Sequence, residues 1–171
     1  MSRLLLKYSD FLPHDRPSLR IVPYFKGEPK TKLDCVLDSG ADVTCISAAF
    51  AKTIYGLDLK KMTNAFLGRI GTMLEVQCIC GKKLRGIQMP LMIRVEKYPG
   101  EIIFPVLVNW ILDVDIQPVI GRKDFFECFD VKFVERKNEF ILIGDDEKLK
   151  RLETHYPLEN IHQLISYLKS R

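Results

Sequence analysis

The stretch of this chain richest in chemistry is Cys35-Val36-Leu37-Asp38-Ser39-Gly40-Ala41-Asp42-Val43-Thr44-Cys45-Ile46. A carboxylic acid, Asp38, stands in a tight turn between two apolar segments, with a glycine two residues later. An acid so placed is held at a fixed position and partly out of water, the setting in which proteins tune acid–base chemistry. Gly40 has no Cβ and admits the close approach of a second backbone or a ligand. The plainer reading is an Asx turn, in which Asp38 bonds only the amides of its own loop. Asp-Ser-Gly alone decides little, since chance supplies Asp-(Ser or Thr)-Gly in roughly one chain of this size in fifteen. Its context adds weight. Apolar residues precede the acid directly, Ala41-Asp42-Val43-Thr44 follows it, and a second apolar element ending in glycine, Val119-Ile120-Gly121, lies far downstream.

The elements that must position these residues read as short strands. Residues 18–25 form a strand interrupted by Pro23, which implies an edge or a bulge. Residues 31–37 return from a turn at Lys26-Gly27-Glu28-Pro29-Lys30, and Asp38-Ser39-Gly40-Ala41 makes the next turn. Residues 43–47 are β-branched and apolar, and 48–54 read as a short helix. A second hairpin is expected from 65–67 and 73–79, with Gly68-Arg69-Ile70-Gly71 at its tip. Residues 83–89, 91–95 and 103–108 give three more strands. Pro118-Val119-Ile120-Gly121 precedes a helical segment over 122–128, and 131–134 with 139–143 make a final hairpin around Lys137-Asn138. Many short strands at this spacing predict a mainly β, single-domain closed barrel. From residue 145 the pattern turns helical, with Leu158, Ile161, Leu164, Ile165 and Leu168 on one face, packing on the barrel or on a second subunit.

With these elements in place, the chain resembles the retropepsin-like aspartic proteases. Their hallmark Leu-Asp-(Thr or Ser)-Gly-Ala is matched by Leu37 to Ala41, and Asp42, Thr44 and Ile46 extend the match. Their later element, two apolar residues, Gly-Arg and a short helix, is matched by Val119-Ile120-Gly121-Arg122 and Lys123 to Glu127. The family's flap, a hairpin with a glycine-rich tip, corresponds on this reading to Leu67-Gly68-Arg69-Ile70-Gly71. The resemblance spans about residues 18–143 and implies an acid-protease-like barrel with an added C-terminal helix.

The same resemblance implies a mechanism. Two aspartates a hydrogen bond apart share one proton, because adjacent like charges cannot both ionise cheaply. The ionised member takes a proton from a bound water as the water attacks a peptide carbonyl, while the protonated member polarises that carbonyl. Only one Asp-(Ser or Thr)-Gly is present, so the resemblance implies a homodimer with Asp38 of each copy on the two-fold axis. Ser39 would then grip the opposite loop. Gly40 and Ala41 would support the acid, Ile120 and Gly121 would back it, and Asp42 would pair with Arg122. A pair of that kind, if buried, costs on the order of 3–5 kcal/mol to break singly. The flap would close over an extended peptide or protein substrate. Retroviral members are shorter, so residues 1–17 and 145–171 are extensions flanking a domain over 18–144.

Composition narrows the alternatives. With 171 residues, 47% hydrophobic and 28% charged, the chain is long enough for one well-packed domain and too apolar for disorder. A net charge of +4 spread over scattered Lys and Arg gives no nucleic-acid footprint. No export signal is visible, and the apolar run over 102–112 is too short to span a bilayer; a cytoplasmic location and no membrane partner are expected. Five cysteines, at 35, 45, 78, 80 and 128, read as reduced strand thiols. His14, His155 and His162 show no convergence, so no metal and no cofactor is expected. Two other functions fit the same residues. One is a catalytically silent barrel of the same family, kept as a binding or dimerisation module. The other is an unrelated β-barrel binder of nucleic acid or a small ligand, with Asp38 in a plain turn.

Overall fold

A computed structural model describes residues 2–12, 16–77 and 81–152. Its centre is a ring of strands: β2 (Ser18–Phe25), β4 (Leu33–Leu37), β9 (Val119–Ile120), β5 (Thr44–Ser47), β8 (Phe104–Ile111) and β7 (Lys83–Val95). Pairing of Ile21 with Val95 through Tyr24 with Met92 closes β7 onto β2, giving a six-stranded barrel. The chain is therefore mainly β, as expected, with an acid-protease-like closed barrel. Two further strands hang on the ring, β3 (Glu28–Pro29) beside β2 and β6 (Thr72–Gln77) beside β7.

The barrel is filled by alternate strand residues. Leu33, Cys35 and Leu37 of β4 point inward, while Asp34 and Val36 are only half-buried. β8 is buried on both faces, which is why its first five residues, Phe104 to Val108, read as one apolar run. Trp110 on β8 is fully buried, its ring 5.4 Å from Tyr55 of helix α1 (Phe50–Tyr55), which in turn meets Phe25 edge-on at 5.2 Å.

Several expectations need correction. Residues 83–95 are one strand rather than two: Pro90 sits within β7 opposite Leu107, and the strand continues through it. Pro23 lies within the ring, but of its neighbours only β7 pairs with it, because the β2–β4 ladder ends at Ile21. The Pro23 carbonyl accepts the Lys30 N–H at 2.8 Å, on the side away from β7, so the missing N–H breaks no β2–β7 bond. The segment after Gly121 is not a regular helix, since Lys123 is extended and Asp124 has φ of 66°. Asp124 is 2% exposed, and its carboxylate accepts the Leu107 N–H of β8 at 2.7 Å. Phe125, one residue on, stacks on Phe129 at 4.6 Å. These contacts pin the kinked segment to the barrel. Asp124→Ala should lower unfolding free energy by about 1–3 kcal/mol, because it strands a buried N–H; urea titration read by Trp110 fluorescence measures it.

The chain before residue 18 is built into the domain. β1 (Ser2–Lys7) pairs antiparallel with β11 (Glu139–Gly144), which pairs with β10 (Phe129–Val134). Leu6 and Tyr8 are buried beneath this small sheet, and the Ser18 hydroxyl donates to the Tyr8 carbonyl at 3.0 Å. After β11, α3 (Asp146–Leu152) packs against β8 with Leu149 buried. The tail stripe from Leu158 to Leu168, and Cys78 and Cys80, lie outside the described residues.

Candidate active site

The Asp38 loop joins β4 to β5, yet these two strands do not pair. β9 threads between them, parallel to β4 (Val36 with Val119, Leu37 with Ile120) and antiparallel to β5 at Cys45. The loop therefore has to cross over the end of β9, and backbone bonds fasten it there. Asp38 N–H donates to the Ile120 carbonyl at 3.0 Å, Arg122 N–H to Ala41 at 2.8 Å, and Lys123 N–H to Asp42 at 2.9 Å. Gly121 N–H donates to the buried Thr44 hydroxyl at 3.3 Å. The two motifs that stand about 80 residues apart in the chain are here one structural unit.

Within this unit Asp38 is half-buried, and its Oδ1 accepts the Gly40 N–H at 2.8 Å. Its carbonyl accepts the Ala41 N–H at 3.2 Å, which tightens the turn. The local bond to Gly40 is what a plain Asx turn would also show. What separates the site from one is the support of β9 beneath and the open space in front. Ser39 is exposed on the crest of the loop. Asp42 and Arg122 form an ion pair, with 80% and 61% of their side-chain surface exposed. The condition for a costly buried pair is not met. Asp42→Asn or Arg122→Gln should change the chain's stability by less than about 1 kcal/mol, measured by urea unfolding.

Asp38 stands on one wall of a cleft of about 720 Å³. The opposite wall is the β6–β7 hairpin, which contributes Leu74, Glu75, Val76, Gln77 and Leu84. It is not the hairpin expected from 65–67 and 73–79, because β6 pairs onward with β7 and the chain before it is helical. Residues 64–70 form helix α2 (Asn64–Ile70), capped by the Thr63 hydroxyl accepting Phe66 N–H at 3.3 Å, with Leu67 and Ile70 buried on one face. Gly68 and Arg69 are exposed on that helix, and Gly71 ends it. A Cβ on Gly71 would come 2.5 Å from the Gln88 carbonyl, so this glycine serves packing against β7 rather than a mobile tip. The hairpin turns after Gln77, which pairs with Lys83. Gly81, with φ of 78°, was the overlooked turn signal.

The far rim of the cleft is the connection over residues 112–118, which sequence reasoning passed over. Ile116 faces the cleft, and the polar residues on either side of it anchor the loop outward. Asp113 accepts the Arg85 N–H at 2.6 Å, Asp115 accepts the buried Ser47 hydroxyl at 2.5 Å and Lys60 at 2.7 Å, and Gln117 donates to the Asp34 carbonyl at 2.7 Å. The Arg85 backbone N–H, with its guanidinium, holds Asp113 below the usual carboxylate range; Lys60 and then Ser47 do the same for Asp115. Because both folded values are lowered, the anchors are at full strength above the unfolded carboxylate value, about 4. They fade only as pH falls through the lower folded values.

Cys45 lies on the cleft floor, half-buried, whereas Cys35 and Cys128 are buried elsewhere. Desolvation pushes the Cys35 thiol far up and that of Cys128 to about 11. Brief alkylation of the native protein should thus label Cys45 well before Cys35 or Cys128, as peptide mass mapping would show. Among the described residues no cluster of His, Cys, Asp and Glu could hold a metal ion, and no helix is long and apolar enough to cross a membrane.

A closed barrel, an acid on a loop crossing an inserted strand, and a hairpin-covered cleft define an acid-protease-like fold. The structure is similar to the crystal structure of a retropepsin-like aspartic protease from Rickettsia conorii, with 13% identity and a TM-score of 0.49 over 82% of this chain and 89% of that one. It is also similar to EIAV protease complexed with an inhibitor, with 19% identity and a TM-score of 0.38 over 68% and 88% of the two chains. No family model matches the sequence, and no curated protein matches it. The chemistry is read from the residues of the cleft.

Proposed function

We propose that this chain is an aspartic endopeptidase whose active site forms when two copies bring their Asp38 side chains together. The observation that carries the reading is the placement of Asp38, half-buried on a loop braced by β9 and open to a 720 Å³ cleft. One carboxylate alone cannot both activate a water and protonate a leaving amine at the same moment. Two that share a proton can, and each copy would supply one. Ser39, exposed on the loop crest, is where the partner's loop would be met. The β6–β7 hairpin would cover the substrate. A peptide held extended between that hairpin and the loop over 112–118 could add strand-like backbone bonds.

The test is cleavage of an unfolded protein between about pH 4 and 7 by wild type and by Asp38→Asn, beside a solution mass for both. Activity in wild type that disappears in the variant, on a dimeric particle, supports the reading. A strict monomer, or hydrolysis that survives the substitution, would sink it. Activity should be bell-shaped in pH, since the working pair carries one proton: acid fills both carboxylates and alkali empties both.

A further inference from the structure

The cleft is walled mainly by aliphatic side chains, among them Val43, Leu74, Val76, Ile111 and Val119. One polar side chain breaks the run from the β8 side. Asn109 is 8% exposed, on a strand whose other residues are all apolar or proline. A buried amide in such a place costs free energy unless its groups are paired. Half of that need is met inside the barrel: Gln88, its cross-strand partner on β7, donates to Asn109 Oδ1 at 2.9 Å. With Oδ1 engaged, the donor nitrogen Nδ2 has no hydrogen-bond partner among the described residues, and the side chain it belongs to lines the cleft. A fixed donor in an aliphatic wall asks for an acceptor.

Charge narrows which acceptor. The acidic side chains lining the cleft are Asp38, Asp42 and Glu75, and among the described residues no Lys, Arg or His lines it. The cations that answer two of them, Arg122 and Lys83, stand outside the lining. A carboxylate ligand would meet net repulsion there, whereas a neutral carbonyl would not. Asn109 is also set to one side of the acid. It pairs with Cys45 of β5, which pairs with Val119 of β9, so it lies across the floor from the strand that braces Asp38. It would meet a side chain near the reacting bond rather than the bond itself.

We infer that Asn109, oriented by Gln88, is a specificity-determining residue that selects a carboxamide side chain, Asn or Gln, at one substrate position. The inference rests on reading the cleft as the peptide site. Its test uses eight-residue peptides identical except at one scanned position, filled by Asn, Gln, Leu or Asp. Wild type should cleave the Asn and Gln peptides about tenfold faster (as kcat/KM) than the Leu peptide at one position, with Asp the poorest. Asn109→Leu should reverse the order of carboxamide and Leu at that position alone. A second arm needs no turnover: Asp38→Asn protein is titrated with the same peptides while the Asn109 side-chain amide signals are followed by NMR. Those signals should move with the Asn peptide and stay still with the Leu peptide. A carboxamide preference unchanged in N109L, or no preference at any position, overturns the inference and leaves peptidase activity standing. Should no peptide be cleaved, the peptidase reading fails and the NMR arm decides alone, with equal shifts or no binding counting against Asn109.

Discussion

Gly121→Ala should unfold at a much lower urea concentration than wild type, with a loss of about 3 kcal/mol or more. A Cβ built on Gly121 falls 2.4 Å from the Val43 carbonyl carbon, 2.6 Å from its oxygen and 2.8 Å from its nitrogen. All three are backbone atoms, and that backbone is tied in turn to β8 and β9 by the pairings of Thr44 and Cys45. A flexible side chain could swing aside; a strand start cannot. The methyl would therefore drive the Asp38 loop off β9 and stretch the bond from Asp38 N–H to the Ile120 carbonyl. Against a total stability of about 5–15 kcal/mol, that is a large fraction. Trp110, fully buried and the single tryptophan, reports the transition by fluorescence. A midpoint equal to wild type would mean that the loop yields without cost and does not depend on β9.

Asp38→Asn should cut kcat/KM for peptide hydrolysis by at least about 10²–10⁴-fold with little change in stability. The amide keeps the shape and can still accept the Gly40 N–H, but it can neither take up nor release the proton. A mixing experiment distinguishes a shared site from two separate ones. If each active site draws one Asp38 from each copy, mutant subunits added in equal amount to wild type and allowed to exchange leave about a quarter of the dimers with both acids. Activity per wild-type subunit should then fall by about half. Sites complete within one chain would lose nothing on mixing, and that outcome would contradict the proposed assembly.

The Asp38 loop was legible because its constraints are local. Leu37 to Ala41 combines an inward-facing strand end with a two-residue Asx turn, and both are written in adjacent residue types. The link from that loop to Val119-Ile120-Gly121 could be guessed only by resemblance. The parallel pairing of β4 with β9 joins residues about 80 apart, and no periodicity encodes such a contact. The cover of the cleft was misplaced for a related reason. Gly68 and Gly71 look like a hairpin tip, but Thr63 caps a helix there and Leu67 and Ile70 give it a buried face, so packing overrode the glycines. Pro90 misled in the same way, since a long strand can absorb a proline wherever its missing N–H owes no bond.

By itself, then, the sequence determined that this is a β-rich domain with one acid held in a tight turn, because strand alternation and turn chemistry act between neighbours. Only the tertiary structure decided what surrounds that acid: β9 beneath it, the β6–β7 hairpin across from it, the anchored rim over 112–118, and Asn109 in the wall. Those neighbours come from strands distant in the chain. They meet at Asp38 because closing the barrel through β2 and β7 leaves each strand one place to pair.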